Sequence, residues 1–262
     1  MTVIITPRTY SETRNIIVDK LNAKKEDAGF WYSNFKDNFY KTKVIDIPVY
    51  IIFTGYSELA TSAALINEYD RLFRKDDPNP SAFYIGNCFA VDNSSLNLGD
   101  LVISEESISD GNVSKSIEQR VKKKYGTSIN PWKLDEALNK TLMTIAKEKN
   151  IKTHYGRLYC SEEIFGEWWM DFVSSGLEKG YIAGEYESAA FAVSCNYLGI
   201  AGAALLDVKD KRINGKYVVA EREKSLNSKA ANLFFELFLS LFGFYPFIKS
   251  YVFQISFDLL RQ

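Results

Sequence analysis

A chain of 262 residues with a formal net charge of −1 and 25% charged residues is long enough for one large α/β domain, and no linker-like stretch divides it. It carries neither a basic stripe for nucleic acid nor a polybasic anchor for a membrane, so partners of those kinds are not expected. Three cysteines without CxxC spacing (Cys88, Cys160, Cys195) and a single histidine, His154, indicate no disulfide framework and no metal site.

Met1 to Pro7 is a short apolar run without a cationic flank or cleavage-site pattern, which argues against a secretory signal and makes the cytoplasm the expected location. Val3 to Ile5 reads as a first strand, and Glu12 to Leu21 as a first helix with Ile16, Ile17 and Leu21 on one side. Lys43 to Asp46 and Pro48 to Phe53 form a predicted strand pair, followed by Gly55 and one helix through Leu59, Ala63, Ile66 and Leu72. Ala82 to Ile85 is a buried strand running into Gly86-Asn87-Cys88. The turn Asn97-Leu98-Gly99-Asp100 introduces another, Leu101 to Ser104. Leu134, Leu138, Leu142 and Ile145 recur at helical spacing and predict a helix over Pro131 to Glu148. Next come a strand from Thr153 to Tyr159, a helix from Glu162 to Ser174, a strand from Tyr181 to Ala183, a helix from Ser188 to Leu198, a strand from Ala201 to Val208 and a helix from Glu221 to Phe242. This alternation predicts a three-layer α/β/α sandwich around a central mixed sheet.

Two acidic clusters flank one helix and one strand. Gly184-Glu185-Tyr186-Glu187-Ser188-Ala189-Ala190 opens the helix from Ser188, and Asp207-Val208-Lys209-Asp210 leaves the carboxyl end of the following strand. Ligands of open α/β sheets sit at such strand ends, so these acids converge on one expected pocket. Taken singly, Glu185 or Glu187 would be a helix N-terminal acid favoured by the dipole, a preference of roughly 0.3 to 1 kcal/mol, and Asp210 a turn residue. Their joint occurrence favours ligand binding.

The order of Gly55 with its helix, Ile85-Gly86-Asn87-Cys88, Leu98-Gly99-Asp100-Leu101-Val102-Ile103, Gly156 to Phe165, Gly184 to Ala190 and Leu206 to Asp210 resembles the nucleoside phosphorylase and nucleosidase superfamily over roughly residues 3 to 241. The family's sheet is partly barrel-like. The resemblance implies a single domain over residues 1–262, a homo-oligomer (dimer, trimer or hexamer) and a role in purine nucleoside salvage. The substrate would be a small-molecule nucleoside, and no cofactor is needed beyond inorganic phosphate as a co-substrate. By the same resemblance Glu187 binds the ribose hydroxyls, Glu185 and Tyr186 line the sugar, and Asp210 protonates the purine. Phe165 and Phe89 stand near the base, and Asn87 and Gly55 near the attacking phosphate or water.

The chemistry suits those residue types. Breaking an N-glycosidic bond builds positive charge on the sugar and negative charge on the base, so a carboxylate at the ribose and an acid at the base lower the barrier together. Asp210 must keep a proton near neutral pH, which needs burial or a neighbouring acid. Strand alternation would turn Lys209 to the opposite face, where it does not oppose that proton. Departures from the family concern the acceptor. Phosphorolysis to ribose 1-phosphate is the expected reaction on family grounds. Phosphorylases of this kind, however, carry an Arg-containing turn after the first strand and an Arg just before the Gly-Ser of the third. Here those places read Ile5-Thr6-Pro7-Arg8 and Tyr84-Ile85-Gly86-Asn87. Arg8 or Arg14 would have to replace the clamp. Alternatively Glu12, near the place of a water-orienting glutamate, would make the protein a hydrolytic nucleosidase. A non-catalytic nucleoside-binding or storage relative is the third reading.

Aromatic residues make up 15% of the chain, so on their own Phe89, Phe165 and Tyr186 read as core or pocket wall rather than as specific base readers, and His154 reads as a strand residue. The tail from Leu233 to Leu260 is rich in apolar residues. Glu236, Lys249 and Asp258 interrupt it, Gly243 and Pro246 break it, and a membrane span needs about 20 consecutive apolar residues. It is expected to be a hydrophobic extension over residues 243–262 that covers the domain or forms a subunit contact.

Overall fold

The computed structural model describes residues 2–6, 18–26, 38–44, 47–55, 57–73, 80–161, 172, 174–213 and 216–219. Strands β1 (Thr2–Thr6), β2 (Lys24–Lys25), β3 (Phe39–Val44) and β4 (Ile47–Phe53) precede helix α1 (Glu58–Ile66) and the single turn α2 (Tyr69–Leu72). After them come β5 (Ser81–Ala90), β6 (Leu101–Ser109), α3 (Asn112–Tyr125), α4 (Glu136–Glu148), β7 (Thr153–Cys160), β8 (Tyr181–Glu185), α5 (Ser188–Leu198), β9 (Ala201–Ile213) and β10 (Lys216–Val219).

The strands form one mixed sheet in the order β10-β9-β6-β7-β8-β5-β1-β4-β3-β2. A further pairing of β9 with β5 closes β5, β9, β6, β7 and β8 into a five-stranded ring. Within the ring β5 runs parallel to β9 and antiparallel to β8, while β6, β7 and β8 run parallel to one another.

Alternate strand residues bury opposite faces, as the two-residue period requires. Tyr84, Cys88, Ala204 and Leu206 pack towards α1 and α5, against Ala64, Leu65, Phe191, Ala192 and Cys195. Phe83, Ile85, Ala203 and Leu205 pack the other way, on Leu138, Leu142, Ile145 and Ala146 of α4. Helices thus cover both faces, and the expected layered α/β architecture with a partly closed sheet is the one found. Small residues let α5 lie close to the sheet: Ala189, Ala190 and Ala192 are fully buried, and a Cβ at Gly202 of β9 would stand 2.8 Å from Cys195 Sγ. Left-handed Gly199 (φ 72) ends the helix, a conformation that glycine adopts without a Cβ penalty.

Several boundaries differ from the sequence reading. The predicted helix over Pro131 to Glu148 begins at Glu136, because the Asp135 carboxylate accepts the Leu138 N–H at 2.8 Å and caps it there. The preceding residues run beside β6 instead, with Leu134 N–H on Glu105 O at 3.0 Å and Ser107 N–H on Trp132 O at 3.1 Å. The single helix expected through Leu72 is two, α1 and α2, and α1 starts where Ser57 accepts the Ala60 N–H. Helix α3 was not predicted at all. Its apolar stripe is narrow, Val113, Ile117 and Val121 at four-residue spacing, and its remaining face is polar or charged. β9 does not end at Val208 but runs on to Ile213, paired with β10. The first predicted helix is described only as a helical turn over residues 18–20. Most of the Glu162–Ser174 helix, the Glu221–Phe242 helix and the extension 243–262 lie outside the described residues. Among the described residues no helix is long and apolar enough to cross a membrane.

Phe191 is fully buried and its ring centroid lies 5.7 Å from that of Tyr84. Phe191→Ala is expected to destabilise the protein by about 3 to 5 kcal/mol through the cavity it leaves between α5 and β5, seen as a lower denaturant midpoint at unchanged slope.

Candidate active site

The site grows from the junction of β8 with α5. The first amides of a helix lack intrahelical acceptors, and here a buried carboxylate supplies one. Glu185, only 2% exposed, accepts the Glu187 N–H at 2.8 Å and the Ser188 N–H at 2.9 Å. Ser188 Oγ adds a bond of 2.6 Å to the same carboxylate and lies 2.7 Å from Ser107 Oγ on β6. The Cys160 thiol of β7 donates to Glu185 as well, and burial with the Glu185 charge pushes that thiol well up, so it stays protonated. Both Glu185 oxygens are therefore occupied by the chain's own donors.

Glu187 is equally buried but differently served. Its Oε2 takes the Tyr84 hydroxyl at 2.9 Å, and the same hydroxyl lies 3.3 Å from Glu185 Oε2. Its Oε1 is buried and has no hydrogen-bond partner among the described residues. Such a group in a low-dielectric interior is costly unless something arrives to satisfy it. Burial is the main reason the Glu187 carboxyl is held well above the usual carboxylate range; the Glu185 charge adds to it, the Tyr84 bond works against it, and Glu58 adds a further push. Glu58, at the start of α1, is 4% exposed and accepts the Ser114 N–H at 3.3 Å. Three carboxyl groups thus share one buried environment.

Asp210 reaches the same neighbourhood through the sheet. Phe89 of β5 is in register with Gly184 of β8 on one side and Asp210 of β9 on the other. Adjacent strands lie about 4.8 Å apart, so the backbones at positions 184 and 210 are roughly 10 Å apart across one strand. The β5–β9 register shifts after Cys88: Val208 pairs with Cys88 and Asp210 with Phe89, leaving Lys209 as the extra residue of a bulge. The simple alternation expected for Lys209 therefore fails. Burial raises the Asp210 carboxyl, and Lys209 pulls against that rise with a smaller effect. Asp210 also lies inside a strand rather than at its carboxyl end, paired with Val219 of β10.

Aromatic side chains line this end of the ring. Phe89, Val91 and Phe172 form a buried cluster with Tyr159, Tyr181 and Tyr186 packed on it, and the Tyr159 and Phe172 rings are 4.9 Å apart. Asn87, two residues before Phe89, pairs with Asp207 and has a buried Oδ1 without a partner among the described residues. Gly55 turns the chain after β4 with φ 74, and β1 separates that strand from β5. Glu12, Arg8, Arg14 and Phe165 lie outside the described residues. His154 is a strand residue, 2.9 Å from Asp100 Oδ2, an oxygen that Lys152 also reaches. Among the described residues no group of three or more His, Cys, Asp or Glu side chains is arranged to hold a metal ion.

Sequence reasoning passed over Tyr84, Glu58 and Cys160. The available signal for Tyr84 was Gly86, two residues on and so on the same strand face. A Cβ at Gly86 would lie 2.5 Å from the Tyr84 ring, so glycine leaves the room in which the phenol lies along the strand and reaches Glu187.

Sequence comparison decides the family: the model of the phosphorylase superfamily matches residues 32–241. The chain belongs to the phosphorylase superfamily. This is a superfamily of enzymes, as the sequence resemblance implied. Solved structures share the fold at low identity. The 5'-methylthioadenosine/S-adenosyl homocysteine nucleosidase of Campylobacter jejuni is 18% identical with a TM-score of 0.65, over 90% of this chain and 97% of that one. A futalosine hydrolase mutant of Helicobacter pylori is 13% identical with a TM-score of 0.66, over 90% and 97%. The purine nucleoside phosphorylase of Toxoplasma gondii, in complex with immucillin-H, is 15% identical with a TM-score of 0.72, over 92% and 90%. No curated protein sequence matches the chain significantly.

The raised Glu187 carboxyl makes a stability prediction for this site. Above the ordinary carboxyl value of about 4.3 the unfolded chain releases a proton that folded Glu187 retains, so this group's contribution to stability is lost as pH rises towards its raised folded value. Gln at this position does not titrate. The melting temperature of Glu187→Gln relative to the parent is therefore expected to climb between pH 5 and pH 8, and a constant difference would contradict the assignment.

Proposed function

We propose that this superfamily member cleaves the N-glycosidic bond of a purine-type nucleoside. The observation that carries the reading is the asymmetry of Glu187: one oxygen is held by Tyr84 and the other is buried with no partner among the described residues. The two hydroxyls of a ribose are donors of the kind that oxygen lacks. Their arrival favours the ionised carboxylate and places a negative charge beside the sugar as C1' becomes cationic. Asp210, raised by burial and one strand from Gly184, is the general acid: as the C1'–N9 bond breaks and its electron pair moves onto the base, Asp210 gives its proton to the purine. Tyr186 and Phe89 form apolar walls for sugar and base, and Glu185 is a positioning group that fixes the turn bearing Glu187. The new bond at C1' is made by phosphate, giving ribose 1-phosphate, or by water, giving ribose. Both outcomes have counterparts among the named structural relatives, a phosphorylase and hydrolytic enzymes. Assembly into a homo-oligomer belongs to the same proposal.

Free base released from a panel of nucleosides, followed by chromatography, tests the reading; binding without release would favour a non-catalytic relative. Asp210→Asn is expected to lower kcat about 10² to 10⁴-fold with little change in binding. An acid must be protonated to act, so parent activity should fall as pH rises through the raised Asp210 value, and that limb should flatten in the Asn variant. Equal activity of the Asn variant would remove the acid role.

A further inference from the structure

We propose that Tyr84 is a positioning residue that aims Glu187 at the ribose. This rests on the glycosidase reading above. The phenol is fully within the core, 1% exposed, and its hydroxyl is committed to Glu187 Oε2 at 2.9 Å with Glu185 Oε2 at 3.3 Å. It is clamped from behind by Phe191 and from below by the bare backbone of Gly86. That bond leaves Glu187 one oxygen, Oε1, for a donor.

Tyr84→Phe removes the hydroxyl and keeps the ring that packs on Phe191. The experiment measures base release from a purine ribonucleoside and its 2'-deoxy analogue, with and without phosphate. Tyr84→Phe should raise KM for the ribonucleoside by about 10 to 100-fold, the scale of losing a hydrogen bond to a charged group, with a smaller fall in kcat. It should also erode the preference for ribose over deoxyribose, which a general loss of stability would not do. Gly86→Ala, which crowds the ring without removing the hydroxyl, should shift KM in the same direction. An unchanged ribose preference in folded Tyr84→Phe would overturn the positioning role. No base release under either condition would overturn the glycosidase reading and this inference with it.

Discussion

The site depends on a buried carboxylate that faces the first amides of a helix. Glu185 takes the Glu187 and Ser188 N–H groups, the Ser188 hydroxyl and the Cys160 thiol, and so satisfies donors that would otherwise be stranded where β8 turns into α5. With its lone pairs occupied, Glu185 can be buried at a place where an isolated carboxylate could not. It also fixes the backbone that carries Glu187. Tyr84 then ties the two acids together from the sheet beneath, and one oxygen of Glu187 is left over among the described residues. Neighbours two residues apart therefore differ: Glu185 has its partners, and Glu187 Oε1 has none among the described residues.

Sheet closure supplies the other half. β5 pairs with β8 and β9 at once near its end, so Phe89 has Gly184 on one side and Asp210 on the other. Residues far apart in the chain become next-but-one neighbours across a single strand. The bulge at Lys209 sets which β9 side chain faces which environment, and without that extra residue the two-residue period would present Lys209 opposite Phe89. The burial that raises the Glu187 and Asp210 carboxyls costs stability as pH rises.

The fold was largely legible because its strands are short apolar runs and its helix α4 carries a strong spacing signal. What failed failed for local reasons. α3 offers three apolar residues on an otherwise polar surface, too narrow a stripe to stand out beside the lysines of its last turn. Asp135, whose short side chain caps α4, moved that helix's start by five positions. A bulge is a pairing event between strands distant in sequence, so nothing in the residues around Lys209 announced it. For the site, the acids were visible as a motif, but their division of labour was not. The capping bonds of Glu185, the reach of Tyr84 and the proximity of Glu58 are all products of tertiary packing. Glu12, Arg8, Arg14 and Phe165 rest on the resemblance alone.

The central claim is that Glu187 and Asp210 act on a single bound nucleoside, and a crystal structure with a non-cleavable purine nucleoside analogue tests it most directly. The account predicts ribose hydroxyls within hydrogen-bond distance of Glu187 Oε1 and the purine edge within reach of the Asp210 carboxyl. An analogue bound elsewhere, or the two carboxyls directed into separate spaces around it, would contradict the account.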